Sequence, residues 1–152
     1  SKFIKDLIFL FSKRAESQNV TLKSDFDDEN FNVFIDEKAM KQACFQLISR
    51  AFRVTPIGGE ITLSVELSPE NPDYFNLVIK DNGIPFNEEE LEKIQSMLLS
   101  DSDNGAINSS IEFGQILANS IVRLHNGKMQ ITSKENEGTR VSCCVPIKQF
   151  LQ

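Results

Sequence analysis

Two hydrophobic spacings alternate along this chain, and their order restricts its fold more than any other feature. In four segments apolar residues recur three and four positions apart, the pattern of a helix with one buried face. Between them lie segments in which apolar and polar residues largely alternate, as in half-buried strands. The helical segments are residues 3–19, 37–54, 88–99 and 112–125, and the strand segments are residues 20–24, 31–35, 61–67, 74–79, 129–133 and 140–146. This order predicts an α/β fold, a two-layer sandwich whose mixed, mostly antiparallel sheet is covered by helices on one face.

The same pattern predicts a single domain. The chain has 152 residues, no internal repeat and no linker long enough to divide it, so we expect residues 1–152 to form one unit. Residues 100–110 are rich in Ser, Asp and Asn and predict a loop between the last two helices. No apolar run approaches the roughly 20 residues that a membrane span needs.

Composition excludes several classes of function. The formal net charge is −6 and no cluster of lysine or arginine is visible in the sequence, which argues against a nucleic-acid partner and favours a basic one. His125 is the single histidine, so a two-histidine zinc site is impossible and a Ser-His-Asp arrangement would have to centre on it. Cys44, Cys143 and Cys144 lie in apolar stretches without metal-ligand spacing, as is typical of core cysteines in a reducing, cytoplasmic compartment.

Four short motifs stand in an order that resembles one protein family. They are residues 36–42 with the helix and Thr-Pro-x-Gly-Gly turn that follow, the strand and Asp-x-Gly turn at 79–84, the helix end and Gly turn at 121–129, and the Gly-Thr pair at 137–139. With these motifs the chain resembles, over nearly its whole length, the ATP-binding domain of bacterial sensor histidine kinases. That domain has the Bergerat fold of the GHKL group, which also includes gyrase, the Hsp90 chaperones and the MutL proteins.

The resemblance implies ATP as the ligand, weakly bound, and assigns residues to it. Asp81 would accept a hydrogen bond from the exocyclic amine of adenine, Gly83 would let the backbone approach the ring, and Thr139 would hold a bridging water or the base. The other residues implied on the nucleotide are Gln46, Arg50, Arg53 and Gly114.

Several positions depart from the family where phosphate and metal are handled. Gln46 and Arg50 stand in place of two asparagines, the second of which gives an oxygen to Mg²⁺ in the family. A guanidinium has only donors and a permanent charge, so this departure argues against Mg²⁺ and leaves no metal ligand at the position. In the family a lid covers the bound nucleotide. Pro85 replaces a glycine at the hinge of this lid, and residues 110–115 keep one glycine of three and place Glu112 toward the phosphates.

Arg50 has two interpretations. It can reach toward a phosphate in place of the metal, or it can fill the empty site and pair with Glu112 or Asp81, which would close the pocket without ATP. We expect the second, because both carboxylates lie on the walls of the same predicted cavity. Phe86 and Phe113 flank the lid, and either could plug the pocket or dock a partner.

His125 also has two interpretations. Its neighbours match a family position at the end of the last helix, where histidine is common and structural. A phosphoacceptor is expected instead on an exposed helix of a separate dimerisation domain. Residues 1–19 resemble the helix that follows that domain, so we expect a phosphorylatable histidine to precede residue 1.

The resemblance therefore implies the ATP-binding domain of a two-component sensor histidine kinase, with degenerate motifs, weak or absent Mg-ATP binding and a role in phosphorelay signalling. Its implied partners are the upstream dimerisation domain, a response regulator and a second copy in a full-length homodimer, in the cytoplasm or as the cytoplasmic part of a membrane sensor. Two alternatives stay open. One is a pseudokinase module that binds a response regulator or partner kinase without nucleotide, and the other is an anti-sigma-factor-like kinase.

Overall fold

Helices and strands follow one another nearly in the order that the sequence pattern predicts. The structure, a computed structural model, describes residues 2–26, 32–99 and 110–148. Its elements are α1 (Lys2–Gln18), β1 (Thr21–Phe26), α2 (Glu37–Val54), β2 (Glu60–Leu67), β3 (Tyr74–Asp81), α3 (Glu88–Leu99), α4 (Ser110–Leu124), β4 (Lys128–Lys134) and β5 (Gly138–Pro146). Of the predicted loop, residues 100–109 lie outside the described ranges. Within those ranges no helix combines the length and the apolar character needed to cross a membrane.

The strands form one mixed sheet in the order β1, β2, β3, β5, β4. β1 runs parallel to β2, and the other neighbouring pairs are antiparallel. A parallel pair needs a crossover connection, which α2 supplies between β1 and β2. The mixed, mostly antiparallel sheet that the pattern predicts is confirmed.

The helices cover one face of the sheet because alternate residues of each strand are apolar. In β3 the side chains of Phe75, Leu77 and Ile79 join the core with residues of all four helices. Burying a side chain of this size contributes roughly 1.5–3 kcal/mol, so the two layers are held together chiefly by the hydrophobic effect. The intervening residues include exposed charges such as Lys80, so the opposite face of the sheet is largely polar.

Helices α2 and α4 pack side by side and run in opposite directions. Near the start of α2, the backbone N–H of Asp36 donates to Nε2 of His125, just beyond the end of α4, at 3.0 Å. Near the other end of the contact, a Cβ on Gly114 would lie only 2.8 Å from Oε1 of Gln46. The carboxylate of Asp36 also caps α2 by accepting a hydrogen bond from the backbone N–H of Ala39 at 3.1 Å. This packing directs the C-terminal end of α2 toward the turn after β3.

The strand predicted at residues 31–35 is wrong for the four residues that the structure describes. Residues 32–35 have no regular secondary structure. The backbone N–H of Phe34 donates to the carbonyl of Ile147, past the end of β5, at 3.2 Å. Val33 and Ile35 are partly buried while Phe34 is 65% exposed, so the side chains alternate without a strand ladder. A two-residue period reports one-sided burial, and burial alone does not supply a hydrogen-bonding partner.

Candidate functional site

Asp81, the acidic residue singled out from the sequence, ends β3 with its side chain in the protein interior. The side chain is 3% exposed, and Oδ1 accepts a hydrogen bond from the backbone N–H of Gly83 at 2.9 Å. Burial raises the pKa of the Asp81 carboxyl. The backbone N–H groups of Gly83 and Thr139 and the charge of Arg50 act against this shift of the pKa. The site therefore holds a carboxylate whose loss of hydration is only partly offset.

Arg50 extends from α2 to this carboxylate. Its Nη1 lies 3.6 Å from Oδ2 of Asp81, and its guanidinium carbon lies 3.8 Å from the centroid of the Phe86 ring. Burial lowers the pKa of Arg50 to about 10, and the charge of Arg53 acts in the same direction. The carboxylates of Asp81 and Glu90 oppose this shift. Arg50 is therefore charged at neutral pH, although its side chain is 4% exposed.

The ion pair is buried but poorly compensated. A separation of 3.6 Å is too long for a good hydrogen bond, and Nε of Arg50 has no hydrogen-bond partner within the described part of the chain. A buried pair offsets the desolvation of both charges only when its geometry is good and its remaining donors are satisfied. The contact with Asp81 therefore constrains the position of Arg50 more than it stabilises the fold.

The end of α2 is docked on the turn after β3, and this docking brings Arg50 to Asp81. The carbonyl of Val54, the last residue of α2, accepts a hydrogen bond from the backbone N–H of Ile84 at 3.0 Å. Gly83 permits the approach, because a Cβ at this position would lie 2.3 Å from the same carbonyl oxygen. Arg50 precedes Val54 by about one helical turn and so lies beside the turn after β3.

Thr139 belongs to the same site, and a hydroxyl pair extends from it to Phe86. Thr139 is the cross-strand partner of Asp81 and is 1% exposed. Its Oγ1 lies 2.9 Å from Oγ of Ser133, which also accepts a hydrogen bond from the backbone N–H of Phe86 at 2.9 Å. These contacts hold Phe86 where its ring meets Arg50. Ser133 was not predicted as a site residue, although the alternation in β4 places it on the inward side opposite Thr139.

The other residues assigned by the resemblance lie around the contact between α2 and α4. Gln46 and Gly114 meet there, as described above, while Arg53 is exposed in the last turn of α2. Gln115, next to Gly114, is 2% exposed, and both polar atoms of its amide lack a hydrogen-bond partner in the described ranges. An unpaired buried polar atom destabilises the fold by about 1–3 kcal/mol. The interior beside Gly114 is therefore polar, and the hydrogen-bonding groups of Gln115 in it are unsatisfied. The predicted role of these residues in ligand binding stays a prediction.

Arg50 itself is not a ligand for Mg²⁺. Arg50 offers N–H donors and a positive charge where a hard cation needs oxygen ligands in octahedral geometry. The guanidinium of Arg50 instead contacts the Asp81 carboxylate and the Phe86 ring.

The pairing expected for Arg50 is confirmed for one of its two predicted partners. Arg50 faces Asp81, whereas the side chain of Glu112 lies outside what the structure describes. Of the two phenylalanines expected to flank the lid, Phe86 packs on Arg50 and Phe113 is 56% exposed.

His125 lies at the contact between α2 and α4 and has a structural role. Its Nδ1 is 2.8 Å from the carbonyl oxygen of Ile121, and its Nε2 accepts the hydrogen bond from the Asp36 backbone. A carbonyl can only accept and a backbone N–H can only donate, so these contacts select the neutral ring with its proton on Nδ1. The structural interpretation of His125 is thereby confirmed, since the imidazole joins the start of one helix to the end of the other.

Replacing His125 with alanine should destabilise the protein by about 2–3 kcal/mol, because it removes an acceptor and a donor from a buried contact between two helices. Chemical denaturation of both proteins measures the difference. Leu124→Ala is the matched control, since Leu124 is adjacent and 83% exposed. Equal effects of the two substitutions would contradict the role given to the imidazole.

Comparison with known proteins places the chain near one family. The family model described as "Histidine kinase-, DNA gyrase B-, and HSP90-like ATPase" matches residues 35–149. The chain is 29% identical to Histidine kinase P4 of Formosa agariphila over 150 residues, covering 96% of the chain and 11% of that protein. It is 23% identical to Sporulation kinase E of Bacillus subtilis over 149 residues, covering 98% of the chain and 19% of that protein. The chain thus spans between about a tenth and a fifth of the length of these relatives.

Solved structures have the same fold. The catalytic domain of histidine kinase ThkA in a nucleotide-free form matches with a TM-score of 0.78 at 22% identity, covering 96% of this chain and 90% of that one. Histidine kinase ThkA in complex with the response regulator protein TrrA matches with a TM-score of 0.73 at 23% identity, covering 97% of this chain and 40% of that one. The α/β sandwich predicted from the sequence is confirmed by these matches.

Proposed function

Because this chain belongs to the family of histidine kinase-, DNA gyrase B- and HSP90-like ATPases, we propose that it is the ATP-binding domain of a sensor histidine kinase whose nucleotide site is closed by Arg50. The domain would bind Mg-ATP weakly or not at all in this state. The contact of Arg50 with Asp81 and Phe86 is the observation that carries the proposal.

The chemistry of the contact supports closure. The resemblance to the family implies that the Asp81 carboxylate accepts a hydrogen bond from the exocyclic amine of adenine. Here the guanidinium of Arg50 presents N–H groups to the same carboxylate and lies on the ring of Phe86. A flat cation with outward N–H donors thus takes the place that a purine with its amine would need. A nucleotide would have to displace Arg50, and this displacement would separate the buried charges of Arg50 and Asp81.

The positive charge of Arg50 also supports weak binding of Mg²⁺. A divalent cation beside a guanidinium is repelled, and at a few ångströms this repulsion is on the order of 1–4 kcal/mol even with partial screening. Arg50 therefore disfavours Mg-ATP in two ways. It occupies the Asp81 carboxylate, and its positive charge repels Mg²⁺.

The proposed role in the cell is in a phosphorelay. The curated relatives are named as kinases, and one similar solved structure is a complex of a histidine kinase with a response regulator. We propose that an upstream dimerisation domain and a response regulator are the partners of this chain as well, in a full-length homodimer.

A second candidate function is a pseudokinase module that acts through protein contacts alone. It is favoured by the way Phe86 is held, since the hydrogen bond from its backbone N–H to Ser133 fixes the ring over Arg50. If that arrangement is permanent, no nucleotide enters the site.

Replacing Arg50 with asparagine should raise the affinity for Mg-ATP at least about tenfold, equivalent to 1.4 kcal/mol, because it frees Asp81 and removes the charge that repels the metal. Isothermal titration calorimetry with and without Mg²⁺ measures this change. Arg14→Asn is the matched control, since Arg14 also lies over a phenylalanine ring, that of Phe52, at 5.1 Å but on α1.

Three outcomes separate the candidates. Tight, Mg²⁺-dependent binding of ATP by the unsubstituted protein would contradict closure by Arg50. Binding that appears only in Arg50→Asn supports it. If neither protein binds ATP at millimolar concentration while both remain folded, the pseudokinase function is favoured.

A further inference from the structure

A groove on the sheet face opposite the helices gathers positive charge on a chain whose formal net charge is −6. The groove has a volume of about 510 Å³. Three of its lining residues, Lys80, Lys134 and Arg140, are cationic, and one, Glu137, is acidic. Its local charge is thus opposite in sign to that of the chain as a whole. Ser133 and Thr139 line both this groove and the candidate site, but the charged side chains of the groove lie on the opposite face of the sheet and are not explained by the proposed function.

Strand register places the three cations together. Lys80 of β3 is the cross-strand partner of Arg140 of β5, and Arg140 is in turn the partner of Thr132 of β4. Neighbouring strands are about 4.8 Å apart, so these residues form a row across three strands. Lys134 follows Thr132 by two positions and is therefore on the same face of β4. The three cations therefore form a positively charged patch about 10 Å wide, two strand spacings across.

The charges of the groove are largely uncommitted. Lys80 and Lys134 are exposed, and neither has a carboxylate within 4.0 Å in the part of the chain that the structure describes. Glu60, on which the charge of Lys80 acts, is itself paired with Lys23 at 2.8 Å. Arg140 contacts Glu66 at 3.2 Å, but both side chains are about 40% exposed, and such surface pairs are weak and easily exchanged. All three cations can therefore turn toward an incoming anion.

We propose that this groove docks an acidic, extended segment of a partner protein. The cations are spread over three strands and do not converge on one point, so spaced carboxylates suit them better than a single small anion. Side chains two apart in an extended segment lie on one side about 6.6 Å from each other, so two or three of them can span the cations. A nucleic acid fits less well, because its dense charge would continue beyond the groove into the negative field of the rest of the chain.

A segment docked in this groove would contact the two strands that carry the candidate site, on the sheet face opposite to Arg50. Lys80 immediately precedes Asp81 in β3, and Arg140 immediately follows Thr139 in β5. Successive side chains of a strand point to opposite faces, so the groove and the Arg50 site lie on the two sides of the same pair of strands. The proposal does not depend on whether the site at Arg50 binds nucleotide.

The test uses a fluorescein-labelled peptide of alternating Glu and Thr, with its binding followed by fluorescence anisotropy at low salt. The groove variant is Lys80→Ser with Lys134→Ser. The control variant is Lys128→Ser with Lys148→Ser, which removes the same charge from two exposed lysines outside the groove. We expect the groove variant to bind the peptide about fivefold more weakly, and the control to change the affinity less than about twofold. Added salt should weaken binding to the unsubstituted protein, since the contact is between exposed charges.

Several results would overturn the proposal. Equal weakening in the two variants would show that only net charge matters. Equal or tighter binding of a labelled oligothymidylate would assign the groove to nucleic acid. Absence of peptide binding at low salt would exclude docking of an acidic segment. Self-association of the unsubstituted protein in sedimentation, lost in the groove variant alone, would make a second copy of the chain the occupant instead.

Discussion

Replacing Asp81 with alanine will lower the free energy of unfolding by about 3–5 kcal/mol, because it leaves a buried positive charge without its counter-ion. The side chain of Arg50 is 4% exposed and lies 3.6 Å from the Asp81 carboxylate. The same substitution removes the acceptor for the backbone N–H of Gly83. Urea denaturation at neutral pH, with the slope checked for two-state behaviour, measures the loss.

A double variant tests the physical reason. Replacing both members of a buried ion pair with apolar residues is often neutral or stabilising, so Arg50→Met combined with Asp81→Leu should recover most of the stability lost in Asp81→Ala. A loss below about 1 kcal/mol in Asp81→Ala, the usual effect of an unremarkable substitution, would mean that Arg50 can reach water. In that case closure of the site by Arg50 would be wrong as well.

Replacing Gly138 with alanine will destabilise the protein by at least about 3 kcal/mol, because it adds a backbone clash to an unfavourable backbone conformation. Gly138 has a φ of +79°, and a Cβ at this position would lie 2.0 Å from the carbonyl oxygen of Asp81. The neighbouring strand cannot move away without disturbing the pairing of β3 with β5. Thermal and urea denaturation both measure this effect.

The matched control for this substitution is Gly58→Ala. Gly58 has a similar φ of +85°, but apart from its own chain neighbours no atom of the described residues lies within 4 Å of a Cβ built on it. It should therefore show the conformational penalty alone, about 1–2 kcal/mol. If the two substitutions destabilise equally, the close approach of Gly138 to Asp81 does not contribute, and the tight turn beside the candidate site is less constrained than its geometry indicates.

Much of the fold follows from hydrophobic spacing. The helix predicted at residues 88–99 has these bounds in the structure, and the helix predicted at 112–125 is found at Ser110–Leu124. A helical period reports the buried face and needs no knowledge of the partner. The strand predicted at 31–35 shows where this reasoning ends, because its described residues bury alternate side chains without pairing to a strand.

The candidate site was partly accessible from the sequence. The resemblance placed Arg50 and Asp81 in one cavity, and opposite charges in a cavity predict a contact. The ring of Phe86 over the guanidinium was not predicted as a contact, because it depends on the hydrogen bond that holds the Phe86 backbone to Ser133. That bond depends in turn on the position of β4 beside β5, which no local pattern reports.

The distribution of charge also depends partly on composition and partly on the tertiary structure. From composition alone, a net charge of −6 without a visible basic cluster favoured a basic partner. Lys80, Lys134 and Arg140 form a cluster only because the register of three strands brings them to one face. The sequence by itself determined most of the apolar residues that are buried and all of the chemical groups that the chain contains. Only the tertiary structure decided which of those groups meet, because strand register and helix packing set the distances between residues that are far apart along the chain.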